Sequence, residues 1–261
     1  MLSYNYLMPS RILFGAGVFG KLAEEGKAIG KRPFVVTGRH AARAAGFLDR
    51  LLEQLPEAVI YDAVEENPGI AVCAEGARRC RQAGCDYVIG LGGGSAMDAA
   101  KVIAVLAVNA REPRDLFGNE QYTYAPLPIM AVPTTAGTGS EVTPYSVLID
   151  DRDGMKRTVR GKGLFPVLAL MDPELTLSMP RSVTVATGLD ALSQCMEGLV
   201  SRTRTAMGAP LAYEGIRLIA RWLPVAADTP DHLEARSALL QAALLSGIVI
   251  AQSGTTKIGR A

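Results

Sequence analysis

Short, β-favouring apolar runs alternate with longer stretches of helical periodicity over the first two thirds of the chain. Arg11–Phe14 reads as a strand followed by a helix to about Ile29, Pro33–Gly38 as a buried strand, and 41–55 as an Ala- and Arg-rich helix. Val59–Val64 is the next strand, Asn67-Pro68-Gly69 a turn, and a helix covers about 70–83. Tyr87–Ile89 and Leu127–Val132 predict further strands. Between them, Met97–Val108 is apolar nearly all round, as expected of an enclosed helix. Alternation at this spacing implies a mostly parallel sheet covered on both faces. After Val142 the pattern changes. Val147–Ile149 and Lys156–Arg160 suggest a hairpin around Asp150–Gly154, and Val167–Met171 another strand. Beyond Pro173 and Pro180 the periodicity is helical, near 183–201, 207–222 and 232–251. A boundary near Pro180 therefore separates an α/β domain, 1–180, from a helical one, 181–261.

Composition narrows the function classes. A net charge of +1 gives no electrostatic reason to expect nucleic acid or an anionic membrane as partner. Met1–Phe14 lacks a basic segment followed by an apolar core, and the apolar stretch Ala238–Ala251 is interrupted by Gln241 and Ser246 and is short for a bilayer. A soluble, cytoplasmic protein is expected. Cys73, Cys80, Cys85 and Cys195 form no C-x-x-C pair and are expected as reduced thiols, with Cys73 and Cys80 filling a core face. His40 and His232 are the only histidines, which restricts any metal chemistry.

Two segments carry chemistry. Gly92-Gly93-Gly94-Ser95 falls where a buried strand turns into a helix. Such a junction offers unpaired backbone N–H groups and the positive end of the helix dipole, which suit a phosphate. Glycines allow close approach of an anion, and Ser95 can cap the helix and donate its hydroxyl. A plain tight turn is the competing reading, although a turn does not require three glycines. The second segment, Pro133–Thr143, is dense in hydroxyls and glycines directly after a strand, and could equally be a solvated turn.

With these two segments in order, followed by D-P-E-L-T at 172–176 and T-G-L-D-A-L at 187–192, the chain resembles the iron-containing (group III) alcohol dehydrogenases, relatives of glycerol dehydrogenase and dehydroquinate synthase. The likeness runs from about Tyr4 to Arg202. It implies an α/β N-terminal Rossmann-like dinucleotide-binding domain and an all-α C-terminal domain, with metal and substrate in the cleft between them. Carried over residue by residue, Gly92, Gly93, Gly94 and Ser95 would hold the pyrophosphate, with Asp98 nearby. Asn67 would meet the adenosine side, Thr134, Thr135 and Thr138 would line the nucleotide, Lys156 would reach a ribose hydroxyl, and Thr176 would contribute from the domain junction. Asp190 matches the first metal ligand.

The chain departs from that pattern at the metal. The family holds Fe²⁺ or Zn²⁺ with one aspartate and three histidines, the first histidine four residues after the aspartate. Gln194 stands there, Gly259 matches the second histidine, and the sequence ends at Ala261 before the third. The helical domain is thus incomplete relative to the family, as in a truncated product or the ordered part of a longer chain. Asp190 with Gln194 is too sparse a donor set for tight transition-metal binding, and Asp190 reads equally as a solvated or salt-bridged helix residue. At the adenosine ribose, Gly38 replaces a carboxylate, with Arg39, His40 and Arg43 close behind, which favours NADP(H) while allowing NAD(H); the arginines could also be surface helix residues.

The leading expectation is an NAD(P)-dependent oxidoreductase moving a hydride between a nicotinamide and a small alcohol or aldehyde, with the arrangement of a homodimer open. A dinucleotide-binding remnant that has lost its metal is the alternative. A metal-independent lyase or reductase on the same scaffold is the third.

Overall fold

The computed structural model describes residues 4–254, and the chain divides into two compact units. One, built from Ser10–Pro133 and Pro144–Asp172, is α/β. Its elements in chain order are β1 (Arg11–Phe14), α1 (Leu22–Ile29), β2 (Pro33–Gly38), α2 (Ala41–Ala44), α3 (Phe47–Gln54), β3 (Val59–Val64), α4 (Ile70–Gln82), β4 (Tyr87–Gly92), α5 (Gly94–Val108), β5 (Gly118–Asn119), β6 (Ile129–Pro133), β7 (Tyr145–Asp150), β8 (Met155–Arg160) and β9 (Leu168–Met171). The other unit contains Thr134–Thr143 together with α6 (Arg181–Val200), α7 (Gly208–Asp228) and α8 (Leu233–Ser253).

In the α/β unit a six-stranded sheet has the order β1-β9-β6-β4-β2-β3, and every pairing in it is parallel. The central strands β4 and β6 are buried throughout, which explains why they read as unbroken apolar runs. Helix α5 packs on β4 so closely that a Cβ at Gly90 would lie 3.0 Å from the Ala100 Cβ. A second, three-stranded sheet, β5-β8-β7, carries the expected hairpin as an antiparallel β7–β8 pair. The helix expected over 41–55 is broken in two, because Gly46 takes a left-handed conformation at φ 73°. Cys73 and Cys80 are fully buried on the core face of α4, and none of the four thiols is in a disulfide.

The helical unit packs α6, α7 and α8 against one another, with Cys195, Ala212 and Val249 among the buried contacts. Helix α7 runs past the expected end near 222 to Asp228 and carries Pro224 within it. Helix α8 likewise exceeds the expected apolar stretch. By length and composition it could cross a membrane, but 61% of its most apolar window is buried against the rest of the protein. Its apolar residues face α6, α7 and the short helical turn at Ser140–Val142. Arg236, wholly buried, ties this unit together by donating to the Pro230 carbonyl at 2.8 Å, the Thr184 hydroxyl at 2.7 Å and the Met179 carbonyl at 3.2 Å. Burial lowers its pKa, so these three acceptors do the work of solvent in stabilising the charge.

Thr134–Thr143 joins the helical unit through two glycine contacts. A Cβ at Gly139, whose φ is +64°, would lie 2.3 Å from the Gly247 Cα, and one at Gly247 would lie 2.6 Å from the Gly139 carbonyl oxygen. The loop backbone therefore lies directly on α8. Alanine in place of a helical glycine ordinarily stabilises by about 1 kcal/mol. Gly247→Ala should do the reverse and cost about 1–3 kcal/mol through overpacking, measured by urea denaturation. A stabilised variant would show that the two backbones are not in contact.

Candidate functional site

The β4–α5 turn is shaped for an anion. Gly92 has φ +148°, and a Cβ there would meet the Ala96 Cβ at 2.9 Å. Gly93 caps α5 with ordinary extended backbone and no side chain caps the helix; the Ala96 and Met97 N–H groups donate to the Gly93 carbonyl, which leaves those of Gly94 and Ser95 without an acceptor inside the helix. No acidic residue lies in that first turn. Ser95 Oγ accepts a hydrogen bond from the Asn67 N–H at 3.3 Å, which joins this turn to the turn after β3. Asn67 itself adopts φ 51°, a conformation asparagine tolerates better than most residues.

What holds Asn67 there is the β7–β8 hairpin. The Ile149 N–H donates to the Pro68 carbonyl at 2.9 Å, and Asp151 Oδ2 accepts from the Ala71 N–H at 2.9 Å. Asp151 thus caps α4 from outside, since that helix has no side-chain cap of its own. A Cβ at Gly69 would sit 2.1 Å from Asp151 Oδ1, so a side chain there would displace the capping carboxylate. The hairpin is in turn fixed to α5. Asp98 Oδ2 accepts from the Val147 N–H at 2.8 Å, the Ser146 hydroxyl donates to the Asp98 carbonyl at 2.9 Å, and Lys101 Nζ donates to the Tyr145 carbonyl at 2.7 Å. These bonds close a circuit from α5 through β7 and the 67–71 turn back to Ser95. Buried Asp150 anchors the hairpin end, with Arg114, Arg152 and Arg157 within 3.4 Å; the Arg152 hydrogen bond holds its carboxyl down at about 2.

Several expected site residues lie in this unit. Asp98, expected beside the pyrophosphate, directs one carboxylate oxygen to β7. Lys156 is exposed on β8 opposite Ile149. Gly38 ends β2 in register with Val64 of β3, and a Cβ on it would make only an ordinary 3.7 Å contact with the Val64 carbonyl oxygen. The two expected cations are both paired with carboxylates from β3 and the residue after it: Arg39 with Glu65 at 2.7 Å, and Arg43 with Asp62 at 3.1 Å. Sequence reading missed Glu65, Asp62 and Asp151. Lys101, three residues after Asp98, carries no local signal of its role.

The remaining expected residues lie in the helical unit. Thr134, Thr135 and Thr138 are half-buried, and Thr138 Oγ1 accepts from the Ser140 N–H at 3.3 Å. Thr176 is fully buried and its hydroxyl donates to the Pro173 carbonyl at 2.8 Å, within its own turn. Gln194 Nε2 donates to Asp190 Oδ2 at 3.1 Å, while Gln194 Oε1 accepts from the buried Ser246 hydroxyl at 3.0 Å. Burial raises the Asp190 carboxyl, and the Gln194 hydrogen bond opposes that shift. A metal does not fit these donors. The amide N–H occupies the carboxylate oxygen that faces it, and among the described residues no three His, Cys, Asp or Glu side chains come together. Gly259 lies outside the described residues. His232 is the N-cap of α8, its Nδ1 accepting from the Ala235 N–H at 3.2 Å.

With the glycine turn and its bracing in view, the comparisons with known proteins agree on one family. The profile of iron-containing alcohol dehydrogenases matches residues 9–173, and that of the C-terminal region of the Fe-containing alcohol dehydrogenase family matches 184–258. The chain belongs to the iron-containing alcohol dehydrogenase family. It is 30% identical to the NAD-dependent methanol dehydrogenase of Bacillus methanolicus, covering 96% of this chain and 67% of that protein. To the 1,3-propanediol dehydrogenase of Citrobacter freundii it is 34% identical, covering 94% of this chain and 65% of that one. Among solved structures, an iron-containing alcohol dehydrogenase of Thermotoga maritima superposes with a TM-score of 0.90 at 42% identity, covering 97% of this chain and 70% of that chain. The sulfoacetaldehyde reductase of Bifidobacterium kashiwanohense, solved with NAD⁺, gives 0.92 at 32% identity, covering 98% and 69%. Against Alcohol dehydrogenase 4 of Schizosaccharomyces pombe the share of the relative falls to 58%, so the chain spans about two thirds or less of these relatives' length.

The circuit makes Asp151 testable. Asp151→Ala should cost about 0.5–2 kcal/mol of stability, the usual value of a lost helix cap, by denaturant titration. Asp151→Asn, which keeps one acceptor oxygen, should recover most of it. Equal stability of all three proteins would mean that Ala71 finds another acceptor.

Proposed function

We propose that the chain binds a nicotinamide dinucleotide with its pyrophosphate on the Gly92–Ser95 turn, and that it works with small alcohols and aldehydes as the hydride partner. The observation that carries this is the uncapped α5 N-terminus, glycine-lined and braced through Asn67, in a member of a family whose relatives are named as dehydrogenases. A bound nicotinamide would supply or accept the hydride. The chain's own part is to bind and orient it. Backbone N–H groups of the first α5 turn meet the phosphates, Ser95 and Asn67 fix the turn, and the hairpin holds both. For the adenosine ribose we favour NADP(H), because Gly38 presents no carboxylate at the strand tip, with NAD(H) also accommodated. Four buried thiols, none in a disulfide, support a reducing cytoplasmic setting.

A second reading is favoured by one observation, the Gln194–Asp190 pair. Its donors satisfy each other where the family's first two metal ligands belong, so we derive no step through a metal. In that case dinucleotide binding persists without metal-assisted turnover.

Gly93 is the clean probe of the dinucleotide site, because its backbone is extended and any residue can adopt it, unlike Gly92. Gly93→Val should leave the fold intact and weaken dinucleotide binding by about 10-fold or more in calorimetry, as close approach of the phosphate is lost. Unchanged affinity in the folded variant would remove the site. For the second reading, protein prepared with added iron and zinc should retain less than one ion per chain by elemental analysis. One tightly held ion, with alcohol-dependent reduction of NADP⁺, would restore metal-assisted chemistry.

A further inference from the structure

On the sequence, Gly38 leaves the tip of β2 without the carboxylate that would select a ribose 2′-hydroxyl, and Arg39 and Arg43 stand ready for a 2′-phosphate. The fold adds two carboxylates to that corner. Val64 is the register partner of Gly38, so Glu65 follows directly beside the strand tip, and it grips Arg39 at 2.7 Å. Asp62, two residues earlier than Val64 on β3, pairs with Arg43 at 3.1 Å. All four side chains are about half exposed, so neither pair is locked by burial. The four formal charges cancel, and Glu66 adds another acid next in the chain.

We infer that Glu65, and behind it Asp62, are specificity-determining residues: they compete with a 2′-phosphate for Arg39 and Arg43 and so narrow the preference for NADP(H) over NAD(H) that Gly38 leaves. This rests on the dinucleotide reading above. A phosphate arriving beside Gly38 must share the exposed Arg39 guanidinium with Glu65, and it then lies near a carboxylate of like charge. A 2′-hydroxyl faces no such contest and can donate to Glu65 itself. The carboxylate missing from β2 is thereby supplied by the neighbouring strand. Space is not the constraint, since even a Cβ at Gly38 makes only an ordinary contact.

The test is calorimetric titration of NADPH and NADH into the parent protein, Glu65→Gln, Arg39→Ala and the double variant. The parent should bind the two within about 5-fold of each other. Glu65→Gln should tighten NADPH by about 3- to 10-fold and leave NADH equal or weaker, an advantage that shrinks as salt is raised because these charges are exposed. In the Arg39→Ala background the same Glu65→Gln change should give little of that gain, since the competition has lost its object. Asp62→Asn should act in the same direction and more weakly. If Glu65→Gln leaves the NADPH to NADH ratio unaltered, or gives its full gain without Arg39, the inference is overturned while dinucleotide binding stands. If the parent binds neither compound, the dinucleotide reading fails, and this inference with it.

Discussion

The meeting of two turns, at Asn67 and Ser95, is the constraint on which the α/β unit's binding edge depends. Neither turn fixes the other alone. A single N–H to hydroxyl bond at 3.3 Å is weak, and Asn67 sits in a left-handed conformation that local sequence does not favour strongly. Rigidity comes from the hairpin, which is bonded to α5 on one side and to the Pro68–Ala71 backbone on the other. Asp98 and Lys101 therefore act one step behind the proposed phosphate-binding turn, through the backbone of β7. Preorganisation of this kind matters because glycines ordered only on binding would add their entropy loss to its cost.

The helical unit solves a related problem with different means. Its hydroxyl-rich loop is seated by backbone contact, Gly139 upon Gly247, and no side chain could take that place. Buried Arg236 then links the start of α8 to α6 and the segment before it through neutral acceptors. Against that ordered background Ser246, Gln194 and Asp190 form a hydrogen-bonded chain that joins α8 to α6.

Much of the fold was legible in the sequence, and the reasons are physical. Strands buried on both faces leave continuous apolar runs, so β2, β4 and β6 could be read directly. Gly92–Ser95 stood out because three glycines exceed the needs of a turn. Less legible were features set by distant partners. The grouping of Thr134–Thr143 with the helices follows from a contact with Gly247, over a hundred positions away, and no local pattern announces it. Asp151 looks like any hairpin-turn aspartate until its carboxylate is seen on the Ala71 N–H. At Gly38 the sequence showed a missing acid and two added arginines. Only strand pairing reveals that Glu65 and Asp62 answer both.

Hydrogen–deuterium exchange in the presence and absence of saturating dinucleotide tests the braced turn most directly. Binding at this site should slow exchange together at the first α5 turn, at Asn67–Ala71 and at the β7 amide of Val147, because the three are one hydrogen-bonded circuit. Protection confined to segments outside that circuit, with bound dinucleotide verified in the same samples, would contradict it.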